Sequence, residues 1–171
     1  MMNHPNFNKN HQKVSAHSHF KRLGRELAMQ YLYLRDMAEG EDDADAREMF
    51  WEQAAEAELT DDDRTFKKAR IYAEKVVDGI IAHLKEIDDT IASFSEKWDL
   101  SRIAAVERNI IRVAIYELKY CPDIPALVSI DEAIEISKAF ATEKSGVFIN
   151  GILNGVKDSL PPDAKLRPGG R

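Results

Sequence analysis

Few residues in this chain have the types and spacing that chemistry needs, and those few point to binding rather than catalysis. Lys21-Arg22-x-x-Arg25 puts three cations within five positions. Cations at a helix start repel one another and oppose the positive end of the helix dipole. An anionic partner such as a nucleic-acid phosphate would compensate that cost. His17-x-His19 offers two metal-binding nitrogens, but a dedicated site needs more ligands at fixed spacing. Asp88-Asp89 and Asp131-Glu132 are adjacent acids. Neighbouring helical residues point in different directions, so neither pair converges as an acid–base couple and both read as solvated or helix-start charges. Cys121 is the single cysteine, and without a partner motif it reads as a small residue beside a loop. Gly146 to Gly151 spaces its glycines wrongly for a dinucleotide fingerprint. No phosphate-cradling loop, metalloprotease helix or nucleophile elbow is found. The reading is therefore no enzyme, no cofactor and no metal.

Charge is segregated along the chain. The net charge is −6, yet Met1 to Arg25 holds five basic residues (Lys9, Lys13, Lys21, Arg22, Arg25) and no acid. Asp36 to Asp63 holds thirteen acids and one base, Arg47. A local basic arm supplies an electrostatic footprint for nucleic acid even in an acidic protein. A lone cysteine, a polar start without an apolar h-region and no bilayer-length apolar run place the chain in the cytoplasm.

Helices must position these groups. The length of 171 residues suits one domain, and scarce Gly and Pro favour helix. Residues 1–19 read as a disordered basic arm. Phe20, Leu23, Leu27, Tyr31 and Leu34 recur every three or four positions, so helix one runs from Phe20 to about Ala38, with Gly40 ending it. The acidic insertion at 36–63 carries Met49-Phe50-Trp51 on one short amphipathic helix. Thr60 to Asp63 starts another helix. The apolar stripe from Phe66 through Ile71, Val76 and Ile80 to Phe94 predicts two helices with a break between Ala82 and Asp89. Asp99 or Ser101 caps the next helix, whose core stripe is Ile103, Val106, Ile110, Val113 and Ala114, with Glu107, Arg108 and Arg112 opposite. Ser129-x-x-Glu132 reads as a capping box opening a helix to Phe140. The last helix begins near Ser145, carries Phe148, Ile152 and Val156, and stops at Pro161-Pro162. Within it, Asn150-Gly151 reads as a satisfied buried amide and a packing glycine. Residues 161–171 read as a disordered tail. The fold class is all-α, with one helical domain over 20–160.

The ordered set of motifs resembles the NusB family of bacterial transcription antitermination factors. The resemblance rests on Arg22-Leu-Gly-Arg25-Glu-Leu-Ala-Met-Gln30-Tyr-Leu-Tyr33 and on Trp98-Asp-Leu-x-Arg102-Ile followed by Val106-Glu107-Arg108 through Glu117-Leu. It also rests on Ile124-Pro125 to Phe140 and on Phe148-Ile-Asn150-Gly151-Ile-Leu. It implies two packed three-helix subdomains and a protein that binds boxA RNA of ribosomal RNA transcripts together with the ribosomal protein NusE. That complex modifies RNA polymerase for processive elongation. Carried over by position, Lys21, Arg22 and Arg25 contact RNA phosphates. Tyr33, Lys144, Ser145 and Phe148 line the RNA-facing region, and Glu107 faces NusE. Several family members carry an acid where this chain has Lys144, and a lysine there favours RNA. The acidic stretch at 36–63 is longer than the family's, and nothing carries over to it.

Two other readings stand beside this one. A similar domain forms the RNA-binding front of ribosomal RNA methyltransferases, which would need a catalytic domain beyond Arg171. A helical adaptor that never touches nucleic acid would use the same amphipathic helices. An apolar helix face serves core, partner site or dimer interface equally well, so the sequence leaves a homodimer open.

Overall fold

The computed structural model describes residues 20–39, 43–95 and 102–166, and these form seven α-helices with no strand among them. The all-α expectation holds. The chain divides into two compact units, Met1–Asp78 and Gly79–Arg171. The expectations for residues 1–19, Gly40, Trp98, Asp99, Ser101 and 167–171 lie outside the described residues.

The first unit holds α1 (Phe20–Met37), α2 (Ala44–Glu56) and most of α3 (Asp63–Ala82). Helix α1 forms on the predicted stripe: Leu23, Leu27 and Tyr31 are buried, as are Ala28 and Leu32 beside them. Its end is a left-handed residue, Glu39, at φ 60°. Helix α2 is the short helix expected in the acidic stretch. Asp43 caps it, accepting from the Asp45 N–H at 3.0 Å. That stretch is more than a solvated connection, because Phe50 and Trp51 are each only 2% exposed. The Tyr31 and Phe50 rings meet edge to face at 5.5 Å. Burying such rings is worth about 2–3 kcal/mol each. Arg47 pairs with Asp78 at 2.7 Å, and Arg70 bridges Glu48 and Glu74 while lying over the Trp51 ring. Asp62 starts α3 as predicted, accepting from the Arg64 N–H and the Thr65 hydroxyl. Ile71, placed on the core stripe by periodicity, faces solvent at 69% exposure. Val76, Val77 and Ile80 of the predicted stripe are buried, and Ala69, Tyr72 and Ala73 are buried with them.

The second unit holds the end of α3, then α4 (Leu84–Phe94), α5 (Ala105–Tyr120), α6 (Ala126–Phe140) and α7 (Glu143–Ser159). Among its described residues it has four helices of its own. The predicted break in the long stripe falls at His83, where ψ is 21°. Helix α5 is central: every residue from Asn109 to Leu118 is buried, which marks a helix surrounded by neighbours.

This burial corrects two readings. Arg112 is not on a solvated face, and Asp88 is not a solvated charge. The Arg112 guanidinium donates to both Asp88 carboxylate oxygens at 2.8 and 2.9 Å, and to Asn109 Oδ1 at 3.0 Å. A fork of this kind satisfies a charge that would otherwise be costly to bury.

The helix ends correct others. Helix α5 has Ala104 at its N-cap position. Helix α6 opens at Pro125, whose carbonyl receives the Val128 and Ser129 N–H groups. Proline supplies the backbone angle that starts a helix. Ser129 therefore lies inside the first turns, buried, rather than capping them. The capping box belongs to α7, between Thr142 and Ser145.

Asn150 and Gly151 are both exposed. The packing glycine is Gly155, where a Cβ would come within 2.7 Å of the Phe94 ring. The segment 161–166, read as disordered, is docked. Lys165 Nζ donates to the Glu117 and Cys121 carbonyls at 2.7 and 2.8 Å, and the Leu166 N–H donates to Pro122. A cation on the last carbonyls of α5 satisfies orphan acceptors and suits the helix dipole. Burial pushes the Lys165 ammonium below its usual range.

Candidate nucleic-acid interface

On α1, about 100° of rotation per residue places Arg22 and Tyr33 only about 20° apart around the helix and about 16 Å apart along it. Both are half-buried, as is Lys21. A cation and an aromatic ring on one helix edge suit a single strand, with one holding a phosphate and the other stacking on a base. Arg25 departs from its expected role. It is 4% exposed, and its guanidinium lies over the Tyr72 ring at 5.9 Å, with Lys21 Nζ at 5.6 Å from the same ring. Tyr72 was not identified from sequence. Its π face offsets part of the repulsion among the α1 cations, a compensation that sequence reasoning assigned wholly to an outside anion.

The second group sits at the start of α7. Lys144 is exposed and Phe148 half-buried. Ser145 is only 2% exposed, which leaves almost no surface for a direct contact. Its hydroxyl accepts from the Thr142 N–H at 3.3 Å and donates to Glu107 Oε1. Each hydroxyl has one proton, so at the 3.0 Å contact Thr142 Oγ1 donates to Ser145 Oγ. Ser145 thus anchors the α7 cap and fixes Glu107, rather than lining the surface. The structure brings together two residues assigned to different partners, Ser145 to RNA and Glu107 to NusE. Lys21, Arg22, Arg25 and Tyr33 belong to the first unit; Glu107, Lys144, Ser145 and Phe148 belong to the second.

A second polar cluster lies on α4 and α5. Glu86 accepts from the Tyr120 hydroxyl at 2.5 Å, and Lys119 reaches Thr90 and Glu86. Burial, then the bond to Glu86, pushes the Tyr120 phenol up to about 12. The Tyr120 bond holds Glu86 below the usual carboxylate range. Lys85 pairs with Asp89 at 2.7 Å. These charges are matched within the chain. Among the described residues no group of three or more His, Cys, Asp or Glu is placed to hold a metal, and no helix is long and apolar enough to cross a membrane.

These features define a class: a small helical protein whose candidate contact residues, in each unit, are cations and aromatic rings on helix edges. The chain belongs to the NusB family, which it matches over residues 22–158. It is 42% identical over 140 residues to the transcription antitermination protein NusB of Myxococcus xanthus, covering 82% of this chain and 96% of that protein. It is similar in structure to NusB of T. maritima, with a TM-score of 0.65 and 36% identity over 83% of this chain and 93% of that one. It is also similar to a chain in a crystal structure of antitermination factors NusB and NusE in complex with double-stranded RNA. There the TM-score is 0.66 and the identity 26%, over 82% of this chain and 98% of that one.

Proposed function

We propose that this protein is an RNA-binding transcription antitermination factor. It binds the boxA element of ribosomal RNA transcripts together with the ribosomal protein NusE, and the complex supports processive elongation by RNA polymerase. The observation that carries the reading is the pairing of Arg22 with Tyr33 on one edge of α1, in a chain similar along most of its length to a member of a NusB–NusE–RNA complex. Lys21 and Arg22 neutralise phosphate, Tyr33 and Phe148 stack on bases, and Lys144 adds positive charge. Ser145 acts through the α7 cap and through Glu107, which faces the protein partner. In this reading the chain performs no catalysis and acts in the cytoplasm. Contact with RNA polymerase through the complex, and a homodimer, belong to the same proposal.

The test is binding of boxA RNA against a scrambled RNA of equal length, in the presence of NusE. Preference for boxA supports the proposal. Equal binding of the two RNAs, or binding of NusE with no RNA affinity at all, overturns it; the second result makes the chain a protein adaptor.

A further inference from the structure

Gly151 lies well inside α7, four residues after Val147 and eight before Ser159. Glycine is among the poorest residues for a helix interior because it fixes the most backbone freedom and packs nothing. Such a position is usually explained by close approach of a neighbour. Gly155, one turn on, has that explanation in the Phe94 ring. Gly151 does not: it is exposed, and a Cβ added there would meet no heavy atom of a described residue within 4 Å. Among the described residues, none packs on Gly151 to repay that local cost.

The position on the helix indicates what the glycine serves. At about 100° per residue, Lys144, Phe148 and Gly151 fall within about 60° of one another. They form one edge of α7 with an exposed cation, a half-buried ring and then bare backbone. Val147, 78% exposed, borders that edge. Alanine at 151 would raise the surface by one methyl group just where the edge continues past the ring. A nucleic-acid strand held by its phosphate at Lys144 and by a base on Phe148 would run on across this position. With no side chain in the way, its next ribose or base would rest against the helix backbone.

We infer that Gly151 is a contact glycine for single-stranded RNA, kept bare so that the strand meeting Lys144 and Phe148 can lie flat on α7. This rests on the RNA-binding reading above and extends the strand's path by one helical turn. The inference couples two effects of one substitution with opposite signs. Gly151→Ala improves helix propensity and meets no described residue within 4 Å, so the melting temperature rises by about 2–4 °C for a chain of this size. The same methyl group lifts the strand off the helix, so RNA affinity falls by at least about fivefold. Gly151→Leu, bulkier at the same exposed position, lowers affinity further.

The experiment measures melting temperature and boxA RNA affinity for the full chain, for Gly151→Ala and for Gly151→Leu, with NusE binding followed separately. A higher melting temperature with weaker RNA binding and unchanged NusE binding supports the inference. Equal RNA affinity in wild type and Gly151→Ala overturns it, as does a fall in melting temperature, which would assign the glycine to the fold. Loss of NusE binding alone overturns it too, and moves the contact to the protein partner. If the unaltered chain binds no RNA, the underlying functional reading is what fails.

Discussion

Arg22 and Arg25 are one turn apart in sequence, yet their substitution should give opposite kinds of result. Arg22 is half-buried on the Tyr33 edge of α1, while Arg25 is 4% exposed with its guanidinium over Tyr72 at 5.9 Å. If Arg22 neutralises one phosphate of a single strand, Arg22→Ala reduces the slope of log affinity against log salt by about 0.7. Over a fourfold salt increase that is about a 2.6-fold smaller loss of affinity than the wild type suffers. Arg25→Ala removes a cation–π contact and the packing of its stem, costing about 1–2 kcal/mol because the site is largely desolvated. At about 2–4 °C per kcal/mol for a chain of this length, the melting temperature falls by about 2–8 °C while the salt slope stays within error of wild type. Fluorescence anisotropy with labelled boxA RNA across a salt series gives the slopes, and thermal unfolding gives the stabilities. If Arg25→Ala lowers the slope as much as Arg22→Ala and leaves the melting temperature unchanged, the assignment of Arg25 to the fold is wrong.

Two further predictions concern the fold. Asp88→Ala strands the Arg112 guanidinium, only 6% exposed, and should cost about 2–3 kcal/mol. This lies below the usual range for breaking a buried pair because Asn109 keeps one bond and Asp88 is itself a fifth exposed. The melting temperature should fall by about 5–10 °C, and a drop under about 2 °C would mean the pair is idle. Asp62 is held below its ordinary value of 3.8 first by the Thr65 hydroxyl, then by the Arg64 N–H. A depressed carboxyl contributes stability above its unfolded pKa and loses it as pH falls through the folded one. The melting-temperature gap between wild type and Asp62→Ala should therefore narrow on going from about pH 6 to about pH 2.5, and a constant gap would refute the assignment.

Much of the fold was legible because helical periodicity is a strong signal in long amphipathic stretches. The α1 stripe, the amphipathic α2, the break at His83 and the stop at Pro161 all follow from it. The misreadings share a cause: they concern residues whose setting depends on distant parts of the chain. Asp88 and Arg112 look like surface charges until α4 and α5 pack together. Ile71 fits the helical period but lies on the wrong side of α3. Ser129 matches a capping pattern, yet Pro125 starts the helix four residues earlier. Lys165 looks like part of a polar tail, and only the position of the α5 carbonyls gives it a role.

The candidate interface was legible in part. The resemblance pointed to the start of α1 and the start of α7, but spacing alone could not distinguish a half-buried Arg22 from a buried Arg25, or an exposed Lys144 from a buried Ser145. Tyr72 was invisible because its contact with Lys21 and Arg25 spans about fifty residues of sequence. Asn150-Gly151 reads as buried from the apolar residues beside it in sequence, and Ile149, Ile152 and Leu153 are buried. The helix places those neighbours inward and leaves the pair outside.

The most direct test of the central claim is the affinity of the full chain for boxA RNA with and without NusE, beside a scrambled RNA at the same salt concentration. The account predicts that NusE raises affinity for boxA at least about tenfold, leaves the scrambled RNA weakly bound, and loses much of that gain when Lys21 and Arg22 are both replaced by alanine. No gain with NusE, or a gain independent of RNA sequence and of those two cations, would contradict it.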